Sequence, residues 1–226
     1  MAGLKKMNKT GIQDEDMSKV YEFFNKNKNL IFAAIVIIAL SIVGYNYYQS
    51  NIAKQEKLAA EALFTLKNEF ADKKYDEVIS KGLVQSKEFS SNKEAGNILL
   101  YVAKAYIQTD QKEFALKTLQ ECVKNYGSND LIGYNCNFIM GGLYIDQWLE
   151  KKDNSLALLA ASLYEKAGNS NNKIFKETCT YLAADSYFKA GKKEKAKTLI
   201  QPLFDKGTSL EYKLRNKVKE LYNKVK

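Results

Sequence analysis

Histidine is absent from this chain, and arginine, proline and tryptophan each occur once, at Arg215, Pro202 and Trp148. Without histidine there is no Ser–His or Cys–His nucleophile system, no imidazole general base and no imidazole metal ligand. The three cysteines, Cys122, Cys136 and Cys179, lack CxxC spacing and are too few to close a zinc site. Arginine, the side chain best suited to reading base edges, is nearly missing, and no block combines dense basic residues with stacking aromatics, so no nucleic-acid partner is expected. The acidic pairs Asp72 with Asp76 and Glu94 with Asp110 fall on helix ends and solvated faces. No convergent catalytic site is expected, and the chain reads as a non-enzyme that needs no cofactor or metal. The formal charge of +9 is spread among interspersed acids, as on a solvated surface beside an anionic membrane.

What the chain does have is one long apolar run. Leu30–Tyr48 reads LIFAAIVIIALSIVGYNYY, and no charged residue lies between Lys28 and Lys54. A helix of that length reaches roughly 28 Å, close to the hydrocarbon thickness of a bilayer. The run is therefore read as a single transmembrane helix. Tyr45, Tyr47 and Tyr48 cluster at its C-terminal end, where aromatic rings favour the headgroup layer. A cleaved signal peptide fits less well, because Ile42, Val43 and Gly44 continue the run past the Ala39–Ser41 pair. A lipoprotein is excluded, since the next cysteine is Cys122. A buried core helix is the competing reading. Lys26 and Lys28, with Lys5, Lys6, Lys9 and Lys19 in the short tail, place the N-terminus inside and the following domain outside, although Lys54 and Lys57 reduce the bias.

Three segments follow: residues 1–29, a cytoplasmic tail with a juxtamembrane amphipathic helix; residues 30–48, the span; and residues 49–226, a repeat domain. In the tail, Asp14 and Asp16 are expected to cap a helix whose stripe is Val20, Phe23 and Phe24. Beyond the span, apolar residues recur at three- and four-residue spacing with no strict alternation, which predicts an all-α fold.

Internal similarity sharpens that prediction. NILLYVAKAYIQTDQKEFALKTLQECV and CTYLAADSYFKAGKKEKAKTLIQPLF align with Tyr106 on Tyr187, Ala103 on Ala184, Ala115 on Ala196 and Leu119 on Ile200. A third unit between them places Gly141 and Tyr144 on its first helix and Ala160, Tyr164 and Ala167 on its second, with an expected insertion in the turn around Glu150–Ser155. Upstream, EALFTLKNEFADKKYDEVISKGLV looks like a degenerate first unit in which Val78 replaces the second small residue and the tyrosine position is unfilled. Leu210, Leu214, Val218, Leu221 and Tyr222 form the stripe of a terminal capping helix. These units resemble the tetratricopeptide repeat, a helix–turn–helix whose small residues allow close helix approach.

In such repeats the first helix of each pair lines the concave face. The corresponding inward positions are Leu100 and Ile107, Phe138 and Ile145, and Tyr181 and Phe188, with Lys104 and Asp185 among the polar neighbours. They predict an apolar groove suited to a helix or an unfolded segment. The competing reading covers that floor with the C-terminal helix or the linker from the membrane. For the cysteines, if the domain lies outside the cytoplasm, Cys122 near the end of one helix and Cys136 near the start of the next could meet across a hairpin as a disulfide, while the simpler reading makes all three small buried apolar residues.

The order of parts resembles the YfgM-like ancillary subunit family of the bacterial Sec translocon. The resemblance is carried by Val20, Phe23, Phe24, Asn27, Gly44, Tyr47 and Tyr48 and by the repeats through Lys226. It implies an inner-membrane protein with a periplasmic domain beside the Sec channel. There it would work with a membrane-anchored periplasmic chaperone and assist exported proteins; it implies no catalytic residues. The expected function is a membrane-anchored scaffold or holdase binding exported or unfolded segments. The alternatives are a structural subunit of a larger envelope complex for secretion or motility, and a cytosolic receptor of reversed topology.

Overall fold

The computed structural model describes residues 11–169 and 175–226, with side chains from Met17 onward. Nine α-helices occur among the described residues: α1 (Gly11–Ala71), α2 (Tyr75–Glu88), α3 (Glu94–Gln108), α4 (Lys112–Tyr126), α5 (Asp130–Lys151), α6 (Asn154–Gly168), α7 (Lys176–Lys189), α8 (Lys193–Asp205) and α9 (Tyr212–Val225). There is no strand among them, so the fold is all-α as expected. The chain divides into two compact units, residues 1–54 and 55–226.

In the first unit, the apolar run lies within α1, which is long and apolar enough to cross a membrane. None of its most apolar window is buried inside the protein. Leu30, Phe32, Ile37, Leu40 and Val43 are each more than 60% exposed, so the apolar surface lacks the cover that a core helix would receive from its own chain. Asp14 and Asp16 do not cap a helix as expected. They lie inside α1, which begins at Gly11 and runs on without a break. Lys5, Lys6 and Lys9, used above for orientation, lie outside the described residues.

In the second unit, successive helices pair. The end of α1 packs with α2 and α3 through Ala59, Leu63, Leu66, Val78, Ala95 and Ile98. α3, α4 and α5 share a core of Leu99, Leu100, Ala103, Ala115, Leu119 and Met140, among others. α5, α6 and α7 meet at Tyr164, Ala160, Ala183 and Phe138. α9 lays Leu214, Val218, Leu221 and Val225 on α7 and α8, and Tyr222 stacks on Phe204 at 4.0 Å. Each fully buried Leu, Ile or Val in these layers contributes roughly 1.5–3 kcal/mol through burial.

The turns carry the repeat. Three of them have one residue in the left-handed region, at Lys73 (φ 63°), Asp110 (φ 57°) and Gly191 (φ 74°). In each, the next amide donates back across the turn: Lys74 N–H to the Glu69 carbonyl at 2.9 Å, Gln111 N–H to Tyr106 at 2.8 Å, Lys192 N–H to Tyr187 at 2.8 Å. This is the Schellman closure, which satisfies carbonyls orphaned at the helix end. It assigns the tyrosine position of the first unit, left empty by the sequence, to Glu69. That carboxylate pairs with Lys81 of α2 instead of filling the gap with a ring.

The third unit corrects a second expectation. The predicted insertion does not lengthen the turn. α5 runs to Lys151, and only Lys152 and Asp153 separate it from α6. The surplus is helix: α5 has 22 residues against 15 in α3, seven more. Seven residues make nearly two turns at about 3.6 residues per turn, so an insertion of that size keeps the buried face in register. Lys152 is left-handed (φ 55°) and its amide donates to the Trp148 carbonyl at 2.7 Å. Asp153 caps α6 by accepting from Ser155 N–H at 2.8 Å. That bond holds the Asp153 carboxyl below the usual range.

Candidate partner-binding face

The small residues decide how close the helices come. A Cβ placed on Gly141 would lie 2.9 Å from the Tyr164 ring, so Tyr164 of α6 occupies the space that this glycine leaves on α5. A Cβ on Gly82 would lie 2.4 Å from Val102, which brings α2 against α3 in the same manner. This close packing fixes which residues of α3, α5 and α7 remain accessible.

The six apolar positions predicted for the groove floor pack pairwise into three separate layers. Leu100 is buried, and Ile107 packs on the same α3–α4–α5 core. Phe138 and Ile145 lie on the α5–α6–α7 layer, where the Phe138 ring is 5.7 Å from Tyr164 in a T-shaped contact and 5.6 Å from Tyr134. Tyr181 and Phe188 pack on the layer that α9 closes. All except Leu100 are half-buried. Of the two polar positions, Lys104 sets its ammonium 4.9 Å from the centroid of Tyr101, and Asp185 pairs with Lys189 one turn along α7.

Two aromatic residues that sequence reasoning missed lie beside these. Tyr101 is half-buried, with the Lys67 ammonium of α1 at 5.9 Å and Lys104 at 4.9 Å from its ring, and it meets Phe70 edge-on at 5.6 Å. Trp148 carries the Lys152 ammonium at 4.7 Å and that of Lys189 at 5.8 Å, which brings α5 and α7 together. Cation–π contacts of this kind contribute about 0.5–1 kcal/mol at exposed sites. The three-residue step from Tyr101 to Lys104 was visible in the sequence, whereas Lys67 meets Tyr101 only through tertiary packing. Electrostatically the face has two ends. Lys67 and Lys104 make the α1–α3 end basic. Asp146 and Asp185 lie near Tyr164, whose hydroxyl is pushed up to about 12 first by burial and then by those carboxylates. Burial likewise pushes Tyr181 up to about 12.

Tyr187, one of the two aligned tyrosines, ties three helices together. Its hydroxyl donates to Glu165 of α6 at 2.7 Å and accepts from Lys195 of α8 at 2.5 Å. Lys195 also covers the ring at 4.0 Å, the position held by stacked Phe114 over Tyr106 in the earlier unit. Among the described residues, no cluster of potential metal ligands occurs.

Paired helices, a shared Schellman turn and an aromatic between small residues are the marks of one repeat type, and residues 21–221 match the family model of the tetratricopeptide repeat-like domain. The chain belongs to that family. The match takes in the apolar run of α1 as well as the pairs behind it. No curated protein and no solved structure matches the chain. Repeat domains of this type typically serve as protein-interaction modules.

Proposed function

We propose that this protein is a membrane-anchored interaction scaffold that acts as a chaperone-like accessory of protein export at the Sec translocon. The observation that carries the reading is the family match running from residue 21 through the uncovered apolar helix into the repeats. In this reading residues 30–48 span the bacterial inner membrane, the N-terminal tail stays in the cytoplasm, and the repeat domain of residues 49–226 lies in the periplasm. Its partners are the translocon, a membrane-anchored periplasmic chaperone, and segments of exported proteins before they fold. Tethering raises the local concentration of clients, so weak contacts suffice.

The binding face is Lys104, Ile107, Phe138, Ile145, Tyr181, Phe188 and Asp185, with Leu100 beneath it and Tyr101 added by its half-buried ring. Its apolar middle and charged ends suit an extended or helical segment with a short apolar anchor.

Photocrosslinkers placed at Tyr101, Lys104 and Asp185 in intact cells test the proposal. Capture of many different exported chains, together with translocon subunits, is expected. Capture of one abundant envelope protein instead would make the chain a structural subunit of a larger secretion or motility complex. Release of the full-length protein from membranes by alkaline carbonate would remove the anchor, and with it the proposal.

A further inference from the structure

Cys122 and Cys136 face each other across the α4–α5 hairpin. Cys122 lies four residues before the end of α4, Cys136 lies six after the start of α5, and Gly127–Asn129 joins the two helices. Both are fully buried in the same core layer. The Cys122 thiol donates to the Gly96 carbonyl at 3.4 Å, and Cys122 is the neighbour that acts most strongly on the Cys136 thiol. Cys179 is elsewhere, packed with Ala167 and Tyr134, whose hydroxyl its thiol meets. The three cysteines are thus one facing pair and one isolated thiol.

We propose that Cys122 and Cys136 form a redox pair that closes into an intramolecular disulfide, stapling α4 to α5 while Cys179 remains a thiol. The oxidant is a disulfide-class reagent or thiol oxidase. One cysteine thiolate attacks a sulfur of the oxidant's disulfide, forming a mixed disulfide and releasing one thiol of the oxidant. The second thiolate then attacks the protein sulfur of that mixed bond and expels the other. The protein loses two protons and two electrons, and the oxidant is reduced to two thiols.

The closed fold slows this chemistry. Contact with Cys122, followed by burial, holds the Cys136 thiol well above the usual range, so little thiolate forms. Oxidation therefore proceeds while the hairpin is open, during folding or in a local opening. The test supplies its own oxidant in vitro, so its outcome is independent of the function proposed above.

The test uses the full-length chain in detergent micelles, incubated with oxidised glutathione with and without sub-denaturing urea. The sample is then denatured without reductant and labelled with a polyethylene-glycol maleimide. The expected product carries one label per chain, on Cys179, and a non-reduced digest yields the Cys122–Cys136 peptide pair. Urea below the unfolding midpoint accelerates closure, and the oxidised chain melts several degrees above the dithiothreitol-treated one. Cys179→Ser still closes the bond, and Cys122→Ser does not. Three labels per chain after every treatment would overturn the proposal, as would a digest in which Cys179 or a second chain supplies the partner sulfur. The wild-type digest decides the matter even where a serine variant fails to fold.

Discussion

Gly141 and Tyr164 form a single packing element: the missing side chain on α5 is the space in which the α6 ring sits. A methyl group at residue 141 would press on ring carbons about 2.9 Å away, and Tyr164 is too deeply buried to swing aside. Overpacking of this kind costs about 1–3 kcal/mol. The gain in helix propensity on replacing Gly by Ala is only about 0.5–1 kcal/mol. Gly141→Ala is therefore expected to destabilise the repeat domain by about 1–2 kcal/mol, and its melting temperature should fall by roughly 2–6 °C. Far-UV circular dichroism melts of the full chain in detergent check this. Adding Tyr164→Leu, which vacates the contested space, should recover part of the loss relative to Tyr164→Leu alone. A melting temperature unchanged by Gly141→Ala would mean that the ring is not confined as the packing requires.

At the level of elements, the turns hold the recurring geometry and offer the simplest way to perturb it. Left-handed backbone costs a non-glycine residue about 1 kcal/mol or more, and glycine almost nothing. Of the turn residues, Gly191 is matched to its φ of 74°, while Lys152 adopts 55° with a full side chain. Lys152→Gly is expected to stabilise by about 0.5–1 kcal/mol, less what is lost over the Trp148 ring. Gly191→Ala should destabilise by about 1 kcal/mol. Denaturant midpoints of the two variants should move in opposite directions, and a common direction would refute the assignment. These turns also show what the sequence could and could not display. Small residues flanking a tyrosine at fixed spacing were enough to reveal the pairs from Asn97 to Val123 and from Cys179 to Phe204, because close helix approach demands small side chains at set registers. The first pair was obscured because Glu69 does with an ion pair what the others do with a ring, and side-chain pattern carries no trace of a backbone hydrogen bond. The seven surplus residues of α5 looked like a loop because helix and turn residues are hard to tell apart where Glu150–Ser155 is polar throughout. In the proposed binding face, seven-residue spacing found residues on one side of each helix. It did not separate buried Leu100 from its accessible neighbour Tyr101, since that distinction depends on how α1 and α4 flank α3.

Across the whole repeat domain, buried phenols set an alkaline limit on stability. Tyr134, Tyr164 and Tyr181, one on each of α5, α6 and α7, are all pushed up to about 12 from an ordinary 10.0, chiefly by burial. Tyr126 and Tyr187 are raised in the same direction for the same leading reason. A group whose pKa is higher in the folded state binds its proton more tightly there than in the unfolded chain. Its contribution is fully present below the unfolded value and is lost as pH rises through the folded one. The window is therefore from about pH 10 to about pH 12, and no loss from these groups is expected at neutral pH. Lys112 and Lys195, raised by Glu150 and by the Tyr187 hydroxyl respectively, act in the same direction at higher pH. Discounted for partial exposure, each tyrosine accounts for on the order of 1–2 kcal/mol. Three together weigh heavily against a total stability of about 5–15 kcal/mol. Cooperative alkaline unfolding is expected within that window, with tyrosinate absorbance rising together with the loss of helical signal. Tyr164→Phe removes one titrating group while keeping the ring that fills the space at Gly141, so it should move the alkaline midpoint upward and leave the neutral-pH melt nearly unchanged. If absorbance instead rises near pH 10 while the helices persist, the phenols reach water in the native fold and burial does not hold them.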